Sequence, residues 1–215
     1  MKDIIKGFAN VAVASVADAV DKICGRRGYM DSAIQPRIND KRVVGPAATV
    51  REEATDEFVP PQHALDLIDE APAGSVIVIS IGAGESEVAV WGGLMTAGAV
   101  ANRHAGAVLD GGVRDIPEIR RDYDFPIYAR SVSPGTTLGR YRTVASQVPV
   151  EVGGVMVEPG DIIVADIDGV VVVPKANAAE VLAMSVEIDL REAEQAKLIM
   201  GEKSLRAGLA RYGRI

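Results

Sequence analysis

An α/β domain is the fold class the sequence predicts, and three neighbouring segments carry the prediction. Residues 75–81 (SVIVISI) are a continuous apolar run of strand length, the pattern of a strand buried on both faces. Residues 94–103 are rich in Ala, Leu and Met and read as a helix, and residues 106–110 (GAVLD) follow as a second buried strand. Strand, glycine-rich loop, helix and strand in that order make one α/β unit. With 215 residues, 48% of them hydrophobic, the chain is long enough and apolar enough to bury one substantial core. No linker divides the sequence and no internal repeat is evident, so residues 1–215 are expected to form a single domain.

The other elements follow from local pattern. Residues 11–23 repeat apolar side chains at helical spacing, interrupted by Ser15 and Asp18 as a polar stripe, and read as an amphipathic helix in which Asp18 is solvated. Residues 43–50 place β-branched side chains around Gly45-Pro46, a strand at a bend. The acidic run 52–57 reads as a solvated connection, after which Pro60-Pro61 starts a helix through Ile68. Residues 126–130 form a short strand, and Gly153-Gly154 is a hairpin signal between the apolar stretches of residues 148–157. Residues 162–165 and 170–173 are two strands about the turn dipeptide Asp168-Gly169, which makes Asp166 and Asp168 turn residues. Residues 178–201 form one long helix of mixed charge, suited to a solvated or subunit-facing surface.

Composition narrows the function classes. A formal net charge of -7 argues against a broad phosphate-binding surface, so no direct nucleic-acid partner is expected. The one cysteine, Cys24, can build neither an internal disulfide nor a thiolate zinc cluster, and a reducing, cytoplasmic setting fits. His63 and His104 are too few and too far apart for a zinc site, and each reads as a surface or packing histidine. Residues 1–7 (MKDIIKG) are not expected to form a secretory leader, and no apolar run reaches the roughly 18 residues a membrane span needs. Gly82-Ala83-Gly84 lacks the Lys-Ser/Thr ending of a phosphate loop.

One segment stands out. Asp110-Gly111-Gly112-Val113-Arg114-Asp115 falls at the C-terminal end of a strand, where open α/β sheets bind ligands. Arg114-Asp115 has a plain reading as a structural ion pair, and Gly111-Gly112 as a turn, although glycine also allows a ligand or backbone to approach closely. Trp91 reads as a packing anchor beside this segment.

Trp91-Gly92-Gly93-Leu94-Met95 together with residues 106–115 resembles the RraA-like family, which includes the class II 4-hydroxy-4-methyl-2-oxoglutarate aldolases. Ser15-Val16-Ala17-Asp18-Ala19, Val44-Gly45-Pro46-Ala47, Asp124-Phe125-Pro126, Pro159-Gly160-Asp161-Ile162 and Asp166-Ile167-Asp168-Gly169-Val170 occur in the family's order, so the resemblance covers nearly the whole chain. It implies a swivelling β/β/α domain in a homotrimer or homohexamer, with sites between protomers and the helix at about 178–201 at a subunit interface. It also implies a lyase using Mg2+ or Mn2+ to cleave 4-hydroxy-2-oxo acids to pyruvate, to decarboxylate oxaloacetate, or both. A non-catalytic ribonuclease-binding regulator, or a lyase on another sugar acid, are the alternatives within the same resemblance.

The residue types suit that chemistry. A hard divalent cation takes oxygen ligands, which makes Asp115 the metal anchor. A guanidinium is a fork for a 2-oxo acid and a stabiliser of enolate charge, the role of Arg114. Amides at the start of the helix after Gly92-Gly93, including those of Leu94 and Met95, offer a carboxylate unpaired donors and a positive dipole end. The family pattern leads one to expect an acidic residue at Gly93. Glu85 and Glu87 are the nearby substitutes, and Glu192, with Glu194 next, matches the acid that a neighbour's C-terminal helix supplies.

Overall fold

The computed structural model of the chain describes residues 1–82 and 87–213. Two helices open it, α1 (Lys2–Phe8) and α2 (Val13–Cys24), followed by the short strand β1 (Gln35–Pro36) and the long strand β2 (Val43–Ala54). Helix α3 (Gln62–Glu70) leads to β3 (Val76–Ser80), β4 (Ala89–Trp91), α4 (Gly93–Ala101) and β5 (Gly106–Val113). A single helical turn α5 (Ile116–Glu118) runs into a π-helical turn at Ile119–Tyr123, and strands β6 (Ile127–Val132), β7 (Tyr141–Ser146), β8 (Val150–Val152) and β9 (Val155–Val157) follow. The hairpin β10 (Ile162–Asp166) and β11 (Gly169–Val173) precedes α6 (Ala178–Glu202) and α7 (Leu205–Tyr212).

Among the described residues nine strands form one mixed sheet in the order β1-β6-β5-β3-β2-β10-β11, with β4 added to β5 and β7 added to β2. Its centre, β2, β3, β5 and β6, is parallel. Every residue of β3 and β5 is buried, as parallel strands covered on both faces require. One core lies between the sheet and α3, α4 and the π-helical turn. A second lies under the hairpin β8–β9, and a third joins β10–β11 to α1, α2 and α6. The expected α/β architecture is therefore observed, with the helices and strands foreseen from sequence at nearly the foreseen positions.

Three local expectations are corrected. The acidic run is not all connection: β2 continues to Ala54, and Glu52 is 1% exposed. Strand alternation explains it, since β2 pairs with β3 as far as Arg51 and with β7 from Val50 to Ala54, which turns Glu52 inward between exposed Arg51 and Glu53. Gly111-Gly112 is strand rather than turn. Ser15, expected on a polar stripe, is buried on α2, while Asp18 is exposed as expected. His104 is a packing histidine, its Nε2 2.8 Å from the Ile68 carbonyl oxygen, and His63 is exposed.

Candidate functional site

The site is assembled where β5 outruns its neighbour. The first four residues of β5 pair with β3, and the last two, Gly112 and Val113, pair with β4 instead. This change of partner requires close backbone approach. A Cβ on Gly111 would lie 3.1 Å from the Val88 carbonyl oxygen, and one on Gly112 would lie 3.1 Å from the same oxygen and 2.9 Å from Ser131 Oγ. The Arg114 amide then donates to the Trp91 carbonyl at 3.0 Å, so the β5 end is tied to the residue just before the Gly92-Gly93 turn. Trp91 is the anchor expected, buried, with its indole N–H donating to Thr96 Oγ1 at 2.8 Å. Its ring is stacked on Phe125, a partner 34 positions away that the sequence did not disclose.

Arg114 and Asp115 come together with the start of α4. Gly92 is the N-cap of α4, and the Gly93 amide donates to Asp115 Oδ2 at 2.9 Å. The carboxylate thus sits at the positive end of the helix, where a negative charge is stabilised by about 0.3–1 kcal/mol. Arg114 Nε is 3.6 Å from the same Oδ2, both side chains being partly exposed. Asp115 holds a left-handed backbone, φ 60°, which an aspartate tolerates at a cost of about 1 kcal/mol, and its carbonyl receives the Ile119 amide at 2.9 Å. The strained residue aims its carboxylate back over Gly92, where a Cβ would be only 2.7 Å from Oδ2.

Gly93 has a counterpart that sequence reasoning missed. A Cβ at Gly93 would meet Glu118 Oε1 at 2.7 Å, so the carboxylate of Glu118 occupies the space that a side chain at position 93 would enter. The signal was present: Glu118 follows Asp115 by three residues, one helical turn, and α5 carries it back toward α4. Glu87 is exposed, and Glu85 lies outside the described residues. Glu192 and Glu194 are exposed on α6, which packs on α1, α2 and α7, and the protomer does not bring them to Arg114.

These groups border a cleft of about 310 Å³ lined by Trp91, Gly92, Gly93, Leu94, Met95, Arg114 and Asp115, with Pro60, Pro61, Leu65 and Thr136–Leu138 opposite in sequence. Every residue foreseen for substrate contact is here. The expected helix-terminal carboxylate site is partly taken, because Asp115 already accepts from Gly93, leaving the amides of Leu94 and Met95 in that turn. A larger hollow of about 520 Å³ lies by α2 and β11, but its Arg27 is stacked on Tyr29 and paired with Asp31 at 3.1 Å, which spends its charge internally. The smaller cleft carries the reactive groups.

Among the described residues no three His, Cys, Asp or Glu side chains gather as a metal cage. Asp115 and Glu118 are the carboxylates nearest Gly92 and Gly93, and a hard cation that keeps most of its water shell would need only one or two such groups. Away from the cleft, Asp110 is buried and paired with Arg130 (Nε to Oδ1 3.0 Å), and also accepts from the Gly153 amide at 3.3 Å, so it braces β5 against β6 and the β8–β9 turn.

The chain is thus a mixed α/β protein with an Arg-Asp pair at the end of a parallel strand, facing the glycine-opened start of a helix. The RraA-like family model, described as Aldolase/RraA, matches residues 13–172, and the chain belongs to that family. It is 34% identical over 183 residues to "Putative 4-hydroxy-4-methyl-2-oxoglutarate aldolase" of Halalkalibacterium halodurans, covering 84% of this chain and 80% of that one. It is also 34% identical over 196 residues to Protein DlpA of Legionella pneumophila, covering 89% of this chain but only 31% of that protein, so the chain spans about a third of DlpA. Among solved structures, Streptomyces coelicolor RraAS2, described as an unusual member of the RNase ES inhibitor RraA protein family, superposes with a TM-score of 0.84 at 27% identity, covering 93% of this chain and 99% of that one. No helix among the described residues is long and apolar enough to cross a membrane.

Proposed function

We propose that the protein is a divalent-metal-dependent lyase that releases pyruvate from 2-oxo acids, by retro-aldol cleavage of 4-hydroxy-2-oxo acids, by decarboxylation of oxaloacetate, or by both. The observation that carries the reading is the meeting of Arg114, Asp115 and the α4 N-terminus at one cleft. When bound to Asp115 and Glu118, Mg2+ or Mn2+ supplies Lewis acidity toward the 2-oxo group. Arg114 binds the 2-oxo acid and offsets the negative charge that grows on the enolate oxygen; its terminal amino groups donate to no described residue and are open to a ligand. Leu94 and Met95 contribute main-chain amides at the positive end of α4, and Asp115 is held in place by the Gly93 amide. In a trimer or hexamer, α6 of a neighbouring copy is the element that would carry Glu192 to this cleft.

Pyruvate formation from oxaloacetate and from 4-hydroxy-4-methyl-2-oxoglutarate, with Mg2+ or Mn2+ and then with excess chelator, tests the reading. Chelator-sensitive turnover is expected, and Arg114→Ala and Asp115→Ala should each lower it by about 10²- to 10³-fold. Unchanged turnover in either variant sinks the site assignment. A second reading, a non-catalytic ribonuclease-binding regulator, is favoured by the likeness to RraAS2. It predicts no turnover with any metal and recovery of a ribonuclease by pull-down.

A further inference from the structure

The peptide between Gly92 and Gly93 is gripped on both sides. Its N–H donates to Asp115 Oδ2 at 2.9 Å, and its carbonyl, that of Gly92, receives two bonds from Thr96. One is the helical bond from the Thr96 amide at 3.0 Å; the other comes from Thr96 Oγ1, also at 3.0 Å. Threonine hydroxyls in helices commonly bond the carbonyl four residues back, but here a second contact fixes the direction of the hydroxyl. Trp91 Nε1 lies 2.8 Å from Thr96 Oγ1, and an indole N–H can only donate. Oγ1 therefore accepts from Trp91, and its one proton is committed to the Gly92 carbonyl. Thr96 is 0% and Trp91 1% exposed, which keeps water from both bonds, and stacking on Phe125 holds the indole in place.

A peptide unit is planar and trans, so its C=O and N–H point in opposite directions and turn together. Holding the Gly92 carbonyl toward Thr96 therefore holds the Gly93 N–H toward Asp115. Bonds aligned in this way polarise one another, and the run from Trp91 through Thr96 ends on a carboxylate, an acceptor that takes strong bonds. Trp91 also offers its carbonyl to the Arg114 amide at 3.0 Å. One buried residue is thus joined to Arg114 directly and to Asp115 through Thr96.

We propose that Thr96 is a positioning residue for the site: its hydroxyl, aligned by Trp91, fixes the Gly92–Gly93 peptide and through it the direction of the Asp115 carboxylate. The proposal rests on the reading above in which Asp115 anchors the metal. Oδ2 is taken by the Gly93 amide, so Oδ1 is the oxygen left to a cation, and where it points follows from how Oδ2 is held. Groups that orient a ligating carboxylate in this way are worth about 10- to 100-fold in metal affinity.

Mn2+ affinity of the purified full chain, measured by titration calorimetry well below the melting temperature, separates positioning from stability. Thr96→Val keeps the shape and removes the hydroxyl, and is expected to bind Mn2+ at least about tenfold more weakly. Thr96→Ser loses a methyl and keeps the hydroxyl, and should restore the affinity to within about twofold even though its core packing is poorer. Thr96→Ala, which lacks the hydroxyl without setting a methyl against the indole N–H, carries the same expectation as T96V should that variant not fold. Where Asp115→Ala abolishes Mn2+ binding, an unchanged affinity in the variant lacking the hydroxyl, or an equal weakening in T96S, overturns the role of Thr96 and leaves the lyase reading standing. Mn2+ binding that Asp115→Ala leaves intact, or no Mn2+ binding by the unsubstituted protein, overturns the placement of the metal at Asp115 and the role of Thr96 with it.

Discussion

Replacing Glu52 with glutamine removes a titration that the fold makes costly. Glu52 is on β2 with both carboxylate oxygens buried and without a hydrogen-bond partner. Loss of hydration in the core pushes its carboxyl up from the ordinary 4.5 to about 8. In the unfolded chain the group ionises near 4.5, whereas in the folded chain it stays protonated until about pH 8. Between those values the folded state binds the extra proton, so stability falls as pH rises, by about 1.4 kcal/mol per pH unit. Below pH 4.5 nothing is lost, and above pH 8 the loss is complete. An interval of about 3.5 units sets an upper bound of about 5 kcal/mol for the whole effect, or on the order of 10–20 °C in Tm for a chain of this length. Glu52→Gln keeps the shape and removes the charge. Urea unfolding of both proteins at pH 5, 7 and 9 should give nearly equal stabilities at pH 5 and an advantage for E52Q that grows to several kcal/mol at pH 9. Parallel pH profiles for the two proteins would refute the argument that a buried, unpaired carboxyl governs this dependence.

Other expected outcomes concern the site and its supports. Glu118→Gln should weaken Mn2+ binding by roughly 10- to 100-fold, measured by titration calorimetry, with the melting curve little changed. Gly112→Ala forces a methyl against the Val88 carbonyl and Ser131, and should lower stability by about 1–3 kcal/mol in urea unfolding while drawing Arg114 off its position and reducing turnover. Asp110→Ala leaves Arg130 without its main partner, at a cost of roughly 3 kcal/mol in the same assay.

Much of this protein was legible locally. The unbroken apolar runs became β3 and β5, the Gly153-Gly154 signal became the β8–β9 turn, and Arg114-Asp115 fell at a strand end beside Gly92-Gly93 as read; the β10–β11 turn is Ile167-Asp168, one residue earlier than Asp168-Gly169, with Asp166 and Gly169 paired as strand ends. What was not legible depended on partners distant in sequence. Glu52 looked like part of a polar linker because its burial is imposed by β3 and β7, which begin 24 and 89 residues later. Phe125 under Trp91 and Glu118 over Gly93 are likewise contacts made across elements.

By itself the sequence determined the α/β class, the family and the candidate pair, because hydrophobic period, turn chemistry and residue order are properties of short stretches of chain. The tertiary structure alone decided which carboxylate stands against Gly93, which amide Asp115 takes, and which side chains surround the rest of the cleft. Those depend on how far β5 runs past β3 before it meets β4, and that register is settled by packing among segments that no local pattern connects.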